Sequence, residues 1–277
     1  MMEIERQSEL MGATVSGIDL SGPLDKATCQ SLKTALLTHH LLCFRGQSLT
    51  PLQFADAGRL FGKLQVQLLS DYRLPDVQEV TVISNYNKMT TGKPHVRATN
   101  WHTDDSYFAQ PAMATMLLAK ALPTKGGRTE FINTHAVFDA LPEHLRQRIE
   151  GCRAVHKYQS RRAKAPVAVR TPEEEVATPD VSHSLIRTHP ETGRAALYIN
   201  PNRIDHVVGM EPSDSDILLD ELYDFAFQPQ FRHHHDWQLG DMVIWDNRCT
   251  MHRATTNFDI NERREFQRIL LKGTVPE

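Results

Sequence analysis

Apolar residues at helical spacing mark a first element near the start of the chain. Cys29, Leu32 and Leu36 fall on one helical face. Asp25 stands just before this pattern and is a suitable N-cap. We therefore predict a helix that begins after Asp25 and ends near His40.

Capping residues as well as spacing indicate a second helix. Thr50 offers a capping hydroxyl directly before Pro51, and proline is favoured at the first helical position. Phe54 and Ala57 then share a face of this helix. Gly62 is placed to end it.

Short runs rich in β-branched and aromatic residues dominate the rest of the chain and predict strands. The predicted strands are LLCFRG, EVTVIS, ATMLLAKAL, TEFIN, CRAVHKY, SLIRTH, AALYIN, FRHHHDW, DMVIWDN and EFQRILLKG. An apolar run as short as LLCFRG is also compatible with a helix fragment. Helical patterns interrupt the later strands around residues 136–149 and from Ser213 onward. Parallel βαβ units would require a helix between nearly every pair of strands, so we predict a mainly β fold with flanking helices, a sandwich or jelly roll.

No internal repeat or sharp boundary divides the sequence, and we expect a single domain over residues 1–277. Two polar segments, residues 85–100 and 159–183, fit neither periodicity. Long irregular segments in a compact domain are often functional lids. Both segments are therefore lid candidates, with an ordinary surface loop as the alternative for the second.

Composition and charge narrow the class of protein. The chain has 277 residues, of which 40% are hydrophobic and 23% charged, as in ordinary globular domains. Its 31 basic and 34 acidic residues give a net charge of -3, which argues against a nucleic-acid partner. The first residues lack an apolar signal region and no run of apolar residues would span a membrane, so we expect a cytoplasmic protein without a membrane partner. The four cysteines are widely spaced, and we expect them to be reduced and buried.

The motif WHTD offers the first metal-binding candidates. On an extended segment, residues two apart face the same side, so His102 and Asp104 converge while Thr103 turns away. One such motif is a weak signal, since a lone histidine is more often a surface or core residue. His252, which follows the apolar run DMVIWD, is the best third candidate. Two histidines and one carboxylate form the facial triad of non-haem Fe(II) oxygenases, which leaves coordination positions open for substrate chemistry.

Arginines near the last predicted strand suit a co-substrate of such a metal. A keto acid that chelates Fe(II) would bury its distal carboxylate, and a guanidinium group binds a carboxylate bidentately. Arg264 and Arg268 are four residues apart on EFQRILLKG and its edge, so we expect them on one face. Taken alone, they fit better as solvated arginines of a charged stretch.

Taken together and in this order, the motifs of the chain resemble those of the taurine dioxygenase / dichlorophenoxyacetate dioxygenase family of Fe(II)- and 2-oxoglutarate-dependent enzymes. The motifs that carry the resemblance are HHLLCFRGQSLTPLQFADAGRLFGKL, WHTDDSYFAQPAMATMLLAKALPTKGGRTEF, RTHPETGRAALYIN and GDMVIWDNRCTMHRATTNFDINERREFQR. The resemblance covers nearly the whole chain. It implies a double-stranded β-helix of the jelly-roll, cupin-like type, with flanking helices.

The resemblance also implies a role for individual residues. It places Fe(II) on the three candidates named above and makes them the catalytic residues. It places the distal carboxylate of 2-oxoglutarate on Arg264, with the hydroxyl of Thr129 as a second contact. Arg263 is adjacent and is the competing assignment. The implied reaction hydroxylates a small organic anion, which would be a carboxylate, a phenoxy acid or a sulfonate, with O₂ consumed and succinate and CO₂ released.

For the substrate, the resemblance is partial. Arg268 matches the arginine that meets the anionic group of the substrate in the taurine enzyme, and Tyr107 and Trp245 match aromatic positions near the metal. We assign all three to substrate binding. Gln67 and Ser70 stand where the taurine enzyme has a histidine and a tyrosine, which argues against taurine itself.

Two other functions use the same ligands. A zinc-dependent hydrolase would bind zinc and activate water, but it has no use for Arg264. A jelly roll that binds metal without catalysis would show no turnover of 2-oxoglutarate. The family resemblance also implies a homo-oligomer.

Several remaining histidines fit structural roles. His233, His234 and His235 resemble a metal-binding tract, but successive strand residues face opposite sides, so all three cannot hold one ion. We predict a solvated strand there. His189 precedes a proline in a predicted turn and is interpreted as structural.

Overall fold

The computed structural model describes residues 2–86, 93–164 and 167–277. The helices of this part are α1 Lys26–His39, α2 Pro51–Arg59, α3 Thr134–Asp139, α4 Glu143–Ile149, α5 Pro172–Val176 and α6 Pro212–Ala226. The strands are β1 Glu3–Arg6, β2 Ala13–Ser16, β3 Leu41–Phe44, β4 Leu64–Gln65, β5 Thr81–Ser84, β6 Ala114–Ala121, β7 Thr129–Asn133, β8 Arg153–His156, β9 Val181–Ser184, β10 Ile186–Thr188, β11 Ala195–Leu197, β12 Ile204–Val207, β13 Arg232–His235, β14 Met242–Asp246, β15 Thr250–Ala254 and β16 Glu265–Leu271.

The two helices predicted near the start of the chain are confirmed. The Asp25 carboxylate accepts a hydrogen bond from the backbone N–H of Thr28 and caps α1. The Thr50 hydroxyl and the Gln53 side chain form a reciprocal capping box at α2. This helix ends at Arg59, three residues before Gly62, so the predicted end is wrong.

Most of the predicted strands are confirmed, and the largest sheet is mixed. Its strand order is β1-β2-β3-β14-β6-β16-β4, with β5 also paired to β16. β2 and β3 run parallel, whereas β14 is antiparallel to both of its neighbours. Over the residues that the structure describes, this sheet remains open.

Successive residues of the central strand β14 are buried on opposite faces of this sheet. Met242 and Ile244 pack in an apolar cluster with residues of α1 and α2. Val243 and Trp245 pack in a second cluster, which includes Phe131 of β7. Burial on both faces explains why this strand appears in the sequence as an uninterrupted apolar run.

A smaller antiparallel sheet, with the order β13-β7-β15, covers the second face of the large sheet. The rings of Phe131 and Trp245 meet across the gap, with their centroids 5.3 Å apart. Two sheets packed face to face, with helices outside, are the mainly β, jelly-roll architecture that the sequence predicts.

A third apolar cluster joins α3, α4 and α6 to the remaining strands and reaches the metal motifs. Trp101 and Met251 belong to it and are buried. They immediately precede His102 and His252 in the sequence. The apolar packing of this cluster therefore fixes the backbone on which both histidines are carried.

The two lid candidates differ in how they compare with the structure. Residues 87–92, in the first segment, and 165–166, in the second, lie outside the described residues. The prediction that the second segment is irregular is wrong in part, because this segment contains α5 and the start of β9. Thr171 and Glu174 form a capping box at the start of α5, and these two residues have the spacing typical of that motif.

The histidine tract forms strand β13, but the prediction that it is solvated is wrong for one member. His235 is 2% exposed, and its Nε2 lies 3.0 Å from a carboxylate oxygen of Asp241. His189 is also buried, and its Nε2 lies 3.0 Å from Asp246 Oδ2, as expected of a structural residue.

The cysteines are all free, as predicted, but only Cys43 and Cys249 are buried; Cys29 and Cys152 are partly exposed. Within the described ranges, we find no helix that is both long enough and apolar enough to cross a membrane.

Candidate metal centre and substrate pocket

A short backbone bridge brings the two halves of the predicted metal site together. The N–H of His102 donates to the carbonyl of His252 at 3.1 Å, and the N–H of His252 donates back at 2.8 Å. The loop that carries the HxD motif is thereby paired with β15. The imidazole rings consequently face each other, with centroids 4.2 Å apart.

The side chains of His102, Asp104 and His252 converge. Nε2 of His102 lies 3.7 Å from Asp104 Oδ1, and Nε2 of His252 lies 3.8 Å from Asp104 Oδ2. One donor atom from each residue lies within 4.8 Å of the other two. Two imidazole nitrogens and one carboxylate oxygen at this spacing could share one divalent cation.

Neighbouring polar groups orient the donor atoms of these side chains toward this point.

 
The ring of His102 is held by Nδ1, which lies 2.8 Å from the carbonyl of Asn100, so that Nδ1 carries the proton and Nε2 offers its lone pair. The hydroxyl of Thr115 donates to Asp104 Oδ2 at 2.7 Å, and Asn247 donates to that hydroxyl at 2.8 Å. Thr115 and Asn247 were not predicted from the sequence, because their roles depend on contacts between different segments of the chain. Asn100 was not predicted either, because it acts through its backbone carbonyl, which every residue type has.

Burial and charge set the protonation of these groups. Burial, together with the charge of His102, lowers the pKa of His252 to about 3. Burial disfavours the ionised form of Asp104, but His252, Arg268 and His102 outweigh it and lower the pKa of Asp104 to about 2. Neutral imidazoles beside an ionised carboxylate are the forms that bind a metal.

Trp245 packs against one of the three converging side chains. Its ring is 1% exposed and packs against the ring of His252, with centroids 4.7 Å apart. Phe131 stacks on the same imidazole at 6.2 Å. Trp245 is not among the residues that line the adjacent cavity, so its contacts do not support the predicted role in substrate binding.

Arg264 and Thr129 lie together in a second polar site. Arg264 is 7% exposed, and its Nε donates to the carbonyl of Gly127 at 2.9 Å. Burial lowers the pKa of Arg264 to about 10. Within the described residues it forms no ion pair with a carboxylate, whereas exposed Arg263 pairs with Glu265 at 2.6 Å. A buried cation without a counter-charge is suited to receive a bound anion.

A cavity of about 300 Å³ opens beside His102 and Asp104. Tyr107 and Arg268 line this cavity. Nη2 of Arg268 donates to Gln67 Oε1 at 2.6 Å. The structure therefore brings Tyr107 and Arg268 to one pocket with the HxD motif. This volume is at the lower end of the range for small-molecule sites.

Asp105, the neighbour of Asp104, is not part of the group of three converging side chains. Gln65 Nε2 and the Tyr107 hydroxyl donate to its two oxygens at 2.7 and 3.1 Å. Burial and the charge of Asp104 raise the pKa of Asp105 to about 6. Its backbone has φ of 58°, in the left-handed region, which aspartate tolerates better than most residues do.

The fold and this arrangement are those of a class of proteins in which a jelly roll carries two histidines and one carboxylate beside an open pocket. Comparison with known proteins identifies the family. A sequence model of the taurine catabolism dioxygenase TauD, TfdA family matches residues 3–270, so the chain belongs to this family.

Relatives over nearly the full length support the same assignment. The chain is 36% identical to a (S)-phenoxypropionate/alpha-ketoglutarate-dioxygenase of Sphingobium herbicidovorans, over 91% of this chain and 88% of that protein. It is 32% identical to an alpha-ketoglutarate-dependent 2,4-dichlorophenoxyacetate dioxygenase of a Burkholderia species, over 94% of this chain and 90% of that protein.

A solved structure is similarly close. The crystal structure of AAD-2 in complex with Mn(II) and N-oxalylglycine superimposes with a TM-score of 0.85 and 29% sequence identity, and it covers 100% of this chain and 98% of that one. The fold class predicted from the sequence is thereby confirmed. The chain is a 2-oxoglutarate-dependent dioxygenase, which is an oxidoreductase.

Proposed function

We propose that this chain couples the oxidative decarboxylation of 2-oxoglutarate to hydroxylation of a small organic anion, with release of succinate and CO₂. One observation carries the proposal. A convergent set of two histidines and one carboxylate lies at the wall of a cavity that also contains Arg268, while Arg264 is buried nearby without a carboxylate partner. This combination supplies a place for a metal, a keto acid and an anionic substrate.

His102, Asp104 and His252 would hold Fe(II). The hydrogen bond from the His102 ring to the Asn100 carbonyl fits this role, because it leaves Nε2 free to bind a cation. Thr115 would keep the Asp104 carboxylate in place through its hydroxyl. Trp245 would position His252 by ring packing instead of touching the substrate. When bound, Fe(II) would supply the activation of O₂ that the oxidation requires.

Arg264 and Thr129 would bind the distal carboxylate of 2-oxoglutarate. The guanidinium group is fixed by the Gly127 carbonyl and by the face of the Phe266 ring, which lies 4.5 Å away. Such fixed donors orient the co-substrate relative to the metal without further loss of side-chain freedom. Arg263 is exposed and paired, which favours Arg264 over it.

Arg268 would bind the anionic group of the substrate, and Gln67 would orient it through their hydrogen bond. The named relatives act on phenoxypropionate and 2,4-dichlorophenoxyacetate, so aryloxy carboxylates are the first class of substrate to test. Tyr107 would exclude water from one side of the cavity. Oxidation at the carbon next to the ether oxygen would give an unstable product that breaks apart.

The test is a substrate panel read by succinate formation. The protein is loaded with Fe(II) and 2-oxoglutarate, and carboxylates, phenoxy acids and sulfonates are added with and without O₂. We expect oxygen-dependent succinate in excess of that formed without substrate, for at least one acid. Hydrolysis that needs zinc but neither O₂ nor 2-oxoglutarate would instead indicate a zinc hydrolase. Metal binding without any turnover would indicate a non-catalytic protein.

A further inference from the structure

The cavity beside the metal site contains more arginine than one acid group requires. Arg97 and Arg203 line it together with Arg268. Within the described ranges, none of the three forms an ion pair with a carboxylate. The residues outside those ranges contain no Asp or Glu, so they cannot supply a counter-charge either.

Aromatic rings hold two of these arginines in place. The guanidinium carbon of Arg203 lies 4.7 Å from the centre of the Tyr107 ring and 5.1 Å from that of Tyr158. Arg97 lies 5.1 Å from the centre of the Tyr72 ring and donates to its hydroxyl. Rings and hydroxyls fix the direction of both cations but do not neutralise them.

The contacts of the arginines separate Arg268 from the other two. Arg268 donates to the side chain of Gln67, which also lines the cavity. Arg203 packs on the rings of Tyr107 and Tyr158, and Arg97 packs on the ring of Tyr72. Arg203 and Arg97 therefore both lie among the tyrosines that line the cavity.

A count of charges shows how many anionic groups could pair with these partly buried arginines. Fe(II), Asp104, 2-oxoglutarate and Arg264 would together be neutral. The cavity then has three cationic side chains and, besides Asp104, one lining carboxyl group, Asp105, whose oxygens already accept hydrogen bonds from Gln65 and Tyr107. A substrate with a single negative charge would leave at least one guanidinium group without a counter-charge.

We propose that Arg97 and Arg203 form a second anion subsite and that the natural substrate is a dianion, with one acid group on Arg268 and another on this subsite. The inference rests on the proposed function. Tyr72, Tyr107 and Tyr158 all line the cavity and offer apolar surface between the two subsites. An aromatic spacer between the two acid groups suits these walls, and a cavity of about 300 Å³ holds a single ring.

Matched pairs of acids test the charge requirement. Phenoxyacetate is compared with its ring-carboxylated analogues, and each dianion is compared with the methyl ester of its ring acid, which has nearly the same shape but one charge fewer. Both kcat/KM for succinate release and equilibrium binding to the anaerobic Fe(II)–2-oxoglutarate protein are measured. We expect at least one dianion to be preferred about ten- to a hundredfold, the range for one charge-assisted hydrogen bond.

Variants locate the preference. Arg203→Gln and Arg97→Gln should each remove most of the preference for the dianion and change the ester by less than about threefold. Arg203→Lys keeps the positive charge and should retain part of the preference for the dianion. This variant distinguishes loss of charge from loss of packing. Arg268→Gln should weaken both members of a pair. Arg170→Gln is the matched control. Arg170 stacks on Tyr158, as Arg203 does, with its guanidinium carbon 4.3 Å from the ring centre, but Arg170 does not line the cavity.

Two results would overturn the second subsite: no dianion that binds better than its ester, or equal losses for both in Arg203→Gln. Failure of the proposed function looks different. In that case no acid, whatever its charge, would increase succinate formation above the level seen with 2-oxoglutarate alone.

Discussion

Nη2 of Arg264 lies 3.5 Å from the hydroxyl oxygen of Thr129. The indole N–H of Trp237 donates to the same oxygen at 2.9 Å. Because both neighbours are donors, the proton of the Thr129 hydroxyl remains available for an acceptor. A buried cation and a free hydroxyl donor side by side form a binding site for a carboxylate.

Arg264→Ala should therefore weaken 2-oxoglutarate strongly, whatever substrate is used. A buried carboxylate that loses its charged partner costs about 3 to 5 kcal/mol. That corresponds to a loss of affinity of hundreds- to thousands-fold. The measurement is a titration of the anaerobic Fe(II) protein with 2-oxoglutarate, followed by the absorbance of the chelate.

The chain contains its own control in the adjacent arginine. Arg263 is exposed and bound to Glu265, so Arg263→Ala should leave the affinity for 2-oxoglutarate nearly unchanged. Arg268→Ala should also leave it nearly intact, while it weakens anionic substrates. If Arg263→Ala abolished binding and Arg264→Ala did not, the assignment of the distal carboxylate would be off by one residue.

The second prediction concerns the metal. Replacement of His102, Asp104 or His252 by alanine should abolish tight binding of one Fe(II) per chain, because two remaining ligands compete poorly with water. Iron content after dialysis is the measurement. Asp105→Asn is the matched control: it keeps the size of a buried, hydrogen-bonded side chain and should keep the iron. Unchanged iron binding in Asp104→Ala would contradict the triad.

Local signals explain what the sequence predicted well. Thr50 and Gln53 form their capping box within four residues, and no distant contact is needed to find it. The proximity of the HxD motif to His252 was predictable because few residue types bind metals and their spacing limits the choices. Gln67 and Arg268 are 201 residues apart, so their hydrogen bond depends on tertiary packing, which sequence periodicity does not contain.

Strand register accounts for another contact that the sequence did not predict. Thr115 reaches Asp104 because β6 pairs with β14 in a register that places Thr115 opposite Trp245. A shift of one residue would turn its side chain to the other face of the sheet. The burial of His235 was not predictable for a similar reason. Its contact with Asp241 depends on tertiary packing and not on the residue pattern of its own strand.

The third prediction concerns the first lid candidate, residues 85–100. Asn85 is anchored, since its side-chain amide donates to the carbonyls of Ile260 and Glu262 at 2.8 Å. Residues 95–100 line the cavity. Closure over a bound substrate would exclude water from the oxidation.

Limited tryptic cleavage after Lys88, which lies in this segment and is followed by methionine, should therefore slow when Mn(II), N-oxalylglycine and a substrate are all present. The rate of cleavage is compared with that of the free protein and with that of the protein holding metal and N-oxalylglycine only. Equal rates in all three states would show that the segment is not a lid.

The last prediction concerns acid stability and His40. This residue is 5% exposed, and burial, followed by the charge of His135, lowers its pKa to about 4. An unfolded chain protonates its histidines near pH 6.5. Between pH 6.5 and 4 the unfolded state therefore binds a proton that the folded state does not, so the free energy of unfolding falls as the pH falls. One such group contributes a slope of about 1.4 kcal/mol per pH unit.

His40→Asn should reduce the slope of the unfolding free energy against pH by up to about 1.4 kcal/mol per pH unit, the contribution of one proton. Asparagine suits the backbone, because His40 has φ of 61° and asparagine tolerates the left-handed region. The measurement is urea unfolding at several pH values between 6.5 and 4.5. Cys249→Ala is the control: it removes the sulfur that lies 3.5 Å from His40 Nδ1 but keeps the imidazole. This control should change the free energy of unfolding, while the dependence of that free energy on pH stays close to that of the parent protein. An unchanged slope in His40→Asn would show that His40 is protonated in the folded state as readily as in the unfolded chain.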